Sequence, residues 1–370
     1  MSENEMGNRG SKSEFITNFV KEQRADGSWC INHKNLLHLR CALTGLERGY
    51  QIKYPSKQLT NNFSTISRVI EPKLNPWFVT GFTDAEGTFT VVIVKDNKGK
   101  TGWRVLPKYQ ICLHTRDYDM LLQIQQFFGG IGSIYKTGNL VYYTVSNIKD
   151  LTDVILPHFS NYYLLTQKAE DFRLFKTIVE HKNNKVHLTI EGLRKIINIK
   201  ASLNIGLSEI VRSEFEPISP VLRRVVNTEN IPDPHWVTGF VNGEGAFDVK
   251  IYSSKTKIGQ AVQLRFRISQ HERDIKLMEL LIKYFGCGQL EKHSKHKAVA
   301  LVVTKFGHNT EKIIPFFNLY PLVGIKKFDF MDWCKISKSM TQGSNLTNDG
   351  LNLIRSIKVG MNKGRKFKED

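Results

Sequence analysis

The sequence predicts an α+β fold of two pseudosymmetric halves, each running helix, two strands, helix, two strands, helix, with antiparallel sheets. Three observations carry this. First, the segment from Asn75, NPWFVTGFTDAEGTFTVVI, recurs from Asp233 as DPHWVTGFVNGEGAFDVKI. Second, the register persists: Gly81 matches Gly239, Glu86 matches Glu244 and Phe89 matches Phe247, and much later Pro157, Lys168 and Asp171-Phe172 match Pro315, Lys326 and Asp329-Phe330 at the same spacing. Between these anchors Asp117 and Phe128-Gly129 pair with Asp274 and Phe285-Gly286 after a slip of one residue. A register held over about a hundred residues marks a duplicated fold rather than a chance match. Third, each motif is followed by two strands with an alternating pattern, the signature of strands with one covered face.

In chain order, residues 1–70 lie outside the repeat. They open polar and then run NLLHLRCALTGLERGYQIKYPSKQL, and they read as an N-terminal extension, disordered or loosely packed. The first half occupies 71–200. Pro76 favours a helix start, about three turns follow, and Gly87 marks the stop. Two strands come next, then a helix around 117–128, a second strand pair and a helix from Lys168. Residues 201–232, with Pro217, Pro220 and Pro232, read as a linker. The second half, 233–360, repeats the order from Pro234, with a helix around 274–285 and another from Lys326. Residues 361–370 form a basic, flexible tail.

Composition narrows the function. Fifty-three Lys and Arg against 35 Asp and Glu leave a formal charge of +18, with a pI near 9.6. Such a charge repels itself in a compact chain, which favours an anionic partner over a plain soluble protein. Nucleic acid fits, because each neutralised phosphate releases condensed counterions. No run of about 18 apolar residues suggests a membrane span. The start, MSENEMGNRGSKSEF, resembles neither a signal nor a transit peptide. Cys30, Cys41, Cys112, Cys287 and Cys334 form no CxxC pair and read as free thiols.

Gly81 and Ala85 lie four apart on the first helix, as do Gly239 and Gly243 on its counterpart, so small residues share one face. Glycine costs about 1 kcal/mol in a helix interior relative to alanine, and close approach of two helix backbones would justify it. Two helices so packed would bring Glu86 and Glu244 together at their C-terminal ends, beside backbone carbonyls such as those of Ala85 and Gly243. Solvated glutamates are the plain alternative. A pair of carboxylates with free carbonyls would instead suit a hard divalent cation.

The cores GFTDAEG and GFVNGEG resemble the paired signature of the LAGLIDADG homing endonucleases in their single-chain form. The resemblance spans roughly 72–365, includes the closing stretches LLTQKAEDF and IKKFDFMDWCK, and is closest to enzymes encoded in fungal mitochondrial group I introns. It implies a monomer whose αββαββα halves form a saddle over double-stranded DNA with a long asymmetric target. It also implies cleavage of both strands across the minor groove with Mg²⁺ (or Mn²⁺), serving intron mobility in the mitochondrion. The family's metal-binding acids fall on Glu86 and Glu244. Its earlier acid is Asp84 in the first motif and is replaced by Asn242 in the second. Lys168 and Lys326 take the position of basic residues near the scissile phosphates. Gln270 matches a solvent-positioning residue whose first-half counterpart is Leu113, which suggests unequal cutting of the two strands. Intron RNA is the rival partner, since some relatives assist splicing. The paired glutamates favour the nuclease, because RNA binding does not need them.

Alternation assigns the strand faces independently of the family. Phe89, Val91 and Ile93 face a core, as do Trp103, Val105, Tyr109 and Ile111. Thr88, Thr90, Val92, Val94, Arg104, Lys108 and Gln110 therefore face outward, most of them polar. In the second copy Asp248, Lys250, Tyr252, Gln263, Arg265, Arg267 and Ser269 do the same. The polar ones are side chains that read base edges in the major groove. Lys98 and Lys100 in the loop 96–102, Lys257 in 253–259, and Lys292, His293, Lys295 and Lys297 read as flanking phosphate or base contacts.

Overall fold

The computed structural model describes residues 74–292, 297–362 and 365, together with two short strands nearer the start. Those strands, β1 (Lys21–Gln23) and β2 (Trp29–Ile31), pair antiparallel within a separate unit comprising residues 1–70. The looseness expected of that extension otherwise concerns positions outside the described residues, as do most of the basic tail and His293 and Lys295.

In the larger unit the chain starts with α1 (Pro76–Glu86). Asn75 caps it by accepting from Trp77 N at 2.8 Å, and the following proline needs no amide hydrogen there. The strands β3 (Gly87–Lys95) and β4 (Trp103–His114) come next, then α2 (Tyr118–Phe127), β5 (Ser133–Thr137) and β6 (Leu140–Val145). Helical turns over 148–161 end in α3 (Leu156–Asn161), and α4 (Lys168–Asn183) and α5 (Ile190–Ala201) complete the half. A short α6 (Glu209–Phe215) lies between the halves. The second copy comprises α7 (Pro234–Glu244), β7 (Gly245–Ser253), β8 (Gln260–His271), α8 (Ile275–Phe285), β9 (Gln289–Lys292), β10 (Ala298–Val303), α9 (Ile314–Leu319), α10 (Gly324–Thr341) and α11 (Asn348–Val359).

Each half has a four-stranded antiparallel sheet, ordered β3-β4-β6-β5 and β7-β8-β10-β9. The predicted order of elements is present, with two additions per half: the short helical stretch ending in α3 or α9, and the final α5 or α11. Helices cover the face of each sheet that alternation assigned to the core. Phe89 sits at the centre of the first core, 5.2–5.4 Å from the rings of Phe159, Phe172 and Phe175. Its repeat partner Phe247 meets Phe317, Phe330 and Trp333 at 5.2–5.7 Å. Both halves are tied shut alike. Asn204 Nδ2 donates to the Phe89 carbonyl at 2.7 Å, and Asn362 Nδ2 to that of Phe247 at 3.3 Å.

Residues 216–228 run along the start of α4. Arg223 bonds Asp171 at 2.6 Å, Arg224 N donates to Glu170 at 3.1 Å, Gln167 exchanges two hydrogen bonds with Val226, and Thr228 Oγ1 donates to the Leu165 carbonyl at 2.7 Å. The connection is thus held against the first half by its own polar groups. No described helix is long and apolar enough to cross a membrane.

Candidate active site

The two motif helices touch backbone to backbone. A methyl group built on Gly81 would lie 2.0 Å from the Trp236 carbonyl oxygen, and one on Gly239 would lie 2.1 Å from that of Phe78. Neither position has room for a side chain, which is why glycine is used despite its helix cost. One turn later a Cβ on Gly243 would fall 2.4 Å from Ala85 Cβ and 3.4 Å from Glu86 Oε1. The carboxylate of Glu86 therefore lies against the last turn of α7, at Gly243, the residue before Glu244. Gly87 and Gly245 are extended, with φ of −80° each, so both helices stop and turn directly into the first strand of a sheet. Glu86 and Glu244 are half-buried at these joints.

Behind each glutamate the motifs differ. Asp84 is 1% exposed and accepts four hydrogen bonds: Leu165 N at 2.8 Å, Thr166 N at 3.2 Å, Thr166 Oγ1 at 2.6 Å and Trp236 Nε1 at 2.9 Å. Burial pushes its carboxyl pKa up, opposed by these bonds and by the Lys168 charge. Asn242 accepts from Val323 N at 3.0 Å. The repeat partners of Trp236 and Thr166 are Phe78 and Gly324, which bring no polar side chain, so a neutral amide suffices there.

Lys168 reaches the end of α1, where its Nζ donates to the carbonyls of Thr83 at 2.9 Å and Asp84 at 2.8 Å, with that of Ala85 at 3.4 Å. It thereby satisfies carbonyls the helix leaves unpaired and puts positive charge at its negative end. Lys326 donates instead to the carbonyl of Gly245, the first residue of β7, at 2.6 Å. The repeat register suggested a shared role for these lysines but not that Lys168 caps the first motif helix while Lys326 binds just beyond the second. Gln270 Oε1 accepts from His271 N at 2.8 Å, and Gln270 continues the helix-facing series after Ile268. Its counterpart Leu113 is buried.

The outward strand positions lie where alternation assigned them. Thr88 and Lys250 are exposed, Tyr252 is 48% exposed, and Thr90, Lys108, Gln110, Asp248, Gln263, Arg265, Arg267 and Ser269 are half-buried. Burial lowers the Lys108 pKa. Arg104 pairs with Asp96 at 2.7 Å, Arg267 lies 3.5 Å from Asp248, Arg265 bonds Glu291, and Gln110 Nε2 donates to Tyr135 Oη at 3.2 Å. Sequence reading missed the carboxylate partners Asp96 and Glu291, since the sheet alone brings them together. Lys98, Lys100 and Lys257 are exposed in the hairpin loops. Cys287 and Cys334 are free thiols. Among the described residues no group of three or more His, Cys, Asp or Glu could hold a metal ion, so any cation at the helix ends would rest on two carboxylates and on carbonyls.

A family model described as LAGLIDADG endonuclease matches residues 79–179 and again 237–337. The chain is 47% identical over 374 residues to the probable intron-encoded endonuclease 3 of Neurospora crassa, covering 96% of this chain and 69% of that protein. The crystal structure of the I-SmaMI LAGLIDADG homing endonuclease bound to cleaved DNA is similar at a TM-score of 0.78 and 46% identity, over 80% of this chain and 99% of that one. The homing endonuclease I-GzeII in complex with its DNA target is similar at 0.74 and 43% identity, over 79% of this chain and 100% of that one.

Proposed function

The chain belongs to the LAGLIDADG endonuclease family, and from that premise we propose that this site-specific DNA endonuclease hydrolyses both strands of one duplex across the minor groove, with one motif glutamate serving each strand. The observation that carries this reading is the contact of the two helix ends, with Glu86 Oε1 3.4 Å from the Cβ position of Gly243.

The donor set at the junction is all oxygen and suits a hard divalent cation. Glu86 and Glu244 would hold Mg²⁺ or Mn²⁺, with the carbonyls of Ala85 and Gly243 as further donors. When bound, the ion would ease deprotonation of the attacking water and offset charge on the leaving oxygen. Lys168, anchored on the carbonyls that end α1, and Lys326, anchored on the Gly245 carbonyl, would add positive charge where the scissile phosphates would approach. In the second half Gln270 can orient solvent by a hydrogen bond, which Leu113 cannot do in the first, and that difference favours unequal rates for the two strands.

The outward faces of the two sheets would lie in the major grooves flanking the cut. Thr88, Thr90, Arg104, Lys108 and Gln110 would contact one half-site, and Asp248, Lys250, Tyr252, Gln263, Arg265, Arg267 and Ser269 the other. Lys98, Lys100, Lys257, His293 and Lys295 would contact the flanks. Both motifs lie in one polypeptide, so a monomer carries the whole site. An intron-encoded relative supports a role in intron mobility, and the family resemblance supports a mitochondrial setting.

Cleavage selection on a randomised duplex library with Mg²⁺, run beside Glu86→Gln and Glu244→Gln, tests the assignment. Each variant should lose double-strand cutting while still binding the selected target. Intact double-strand cutting by either variant would refute it.

A further inference from the structure

The repeat sets each outward position of the first sheet against one of the second, and the chemistry changes at nearly every step. Thr88 and Gln110 face each other across β3 and β4, where the second sheet has Ala246 and Arg267. The next rung is Thr90 with Lys108 in one sheet and Asp248 with Arg265 in the other. Beyond it, Val92 faces Leu106, where the second sheet has Lys250 facing Gln263. Val94 corresponds to Tyr252. Val92, Val94 and Leu106 stay half-buried although they face away from the helices.

The two arginines are buttressed. Arg265 bonds Glu291 on β9, which lies beyond β10 in the same sheet, and Arg267 lies 3.5 Å from Asp248, with side chains only 18% and 30% exposed. A guanidinium tied along one edge keeps its plane fixed, so binding through its other N–H groups costs less side-chain entropy. Those groups match the O6 and N7 acceptors of guanine, and a carboxylate beside them can accept from cytosine N4. An aliphatic rung does the reverse. It leaves base-edge donors and acceptors unpaired, and the apolar feature it can meet in the major groove is the thymine methyl.

Taking the sheets as DNA-contacting surfaces, as proposed above, we infer that the halves select half-sites of opposite composition. Arg265, Arg267 and Asp248 select G·C pairs in the second half-site. Val92 and Leu106 select thymines in the first. The rungs also place these preferences. Arg267 is opposite Ala246, two residues past Glu244, so the G·C positions adjoin the cut. The Val92–Leu106 rung is the third from Glu86, so the thymines lie further out.

The test sequences both the bound and the cut fractions of a randomised duplex pool, for the full chain and for Arg265→Ala and Arg267→Ala. The full chain should enrich G·C next to the cut on one side and thymine further out on the other. Each arginine variant should relax base preference about ten- to a hundredfold at one position of the same half-site. Deoxyuridine in place of thymine in the other half-site should weaken binding several-fold, and Val92→Ser should remove that difference. Unchanged preference at every position in both arginine variants, or equal binding of uracil and thymine targets by the full chain, would overturn the inference. A bound pool with these preferences but no cutting would instead count against the nuclease reading alone.

Discussion

Trp236 Nε1 donates to Asp84 Oδ2 over 2.9 Å, so a side chain of the second half completes the hydrogen bonding of the first half's motif acid. The bond runs one way. Its repeat equivalent would join Phe78 to Asn242, and a phenyl ring has nothing to donate. The Asp-to-Asn difference between the motifs thus follows from the number of donors around each position rather than from the metal chemistry of the adjoining glutamates.

Asp84→Asn should therefore destabilise the protein even though asparagine occupies the matching site. An amide has one acceptor oxygen and would turn its NH₂ toward at least one of the four donors that Asp84 now accepts from. The expected loss is about 2 kcal/mol, within the range for a buried group left unsatisfied, read from urea unfolding. A variant as stable as the parent would mean the four bonds contribute nothing net.

A second buried pair shows the same trade. Thr83 Oγ1 and Tyr109 Oη are 2.7 Å apart with both residues fully buried, while the second half has Val241 and Phe266 in their places. Thr83→Val alone strands the phenol, and Tyr109→Phe alone strands the threonine hydroxyl, each costing about 1–2 kcal/mol. Together they recreate the apolar solution already used in the other half. The double variant should recover at least about 1 kcal/mol of the summed losses in a double-mutant cycle; simple additivity would show that the two hydroxyls are not partners.

Glycine at the helix contact makes a prediction of opposite sign to helix propensity. Gly→Ala inside an exposed helix gains about 1 kcal/mol. At Gly239 the new methyl would meet the Phe78 carbonyl at 2.1 Å, a backbone atom that cannot swing aside. Gly239→Ala should cost about 3 kcal/mol or more and separate Glu86 from Glu244, so DNA cutting should fall more than DNA binding. Raised stability with normal cutting would show that the helices do not meet there.

Much of this was legible because it is local or periodic. Asn75, Pro76 and Gly87 bound the first helix through capping and backbone geometry, and alternation from Phe89 to Ile93 sorts the strand faces. Gly81 and Gly239 announced a close approach through their cost alone. What stayed hidden depends on distant chain segments. Lys168 grips carbonyls of Thr83 and Asp84 across 84 or more positions, and Glu291 meets Arg265 only because β9 and β8 lie in one sheet. The extra helices α5 and α11 escaped because the repeat anchors end before them, at Phe172 and Phe330, so no register pointed further.

His158 gives a prediction in pH. Its ring is buried among Phe127, Phe128, Phe159 and Tyr162, with Nε2 3.2 Å from Thr80 Oγ1. Burial disfavours the charged imidazolium and pushes its pKa down to about 4 from an ordinary 6.5. The unfolded chain then takes up a proton below about pH 6.5 that the native protein refuses until about pH 4. Stability is therefore whole above about pH 6.5 and declines as pH falls through that window, by about 3 kcal/mol at most. The second half already carries the alternative at this position, Phe316, and Thr80 keeps an acceptor in the Tyr162 carbonyl at 3.0 Å. His158→Phe should match the parent near pH 7 and exceed it by about 2 kcal/mol near pH 4.5, as judged from urea midpoints at the two pH values. If both proteins lose stability equally on acidification, His158 is not the group responsible, because phenylalanine has no proton to gain.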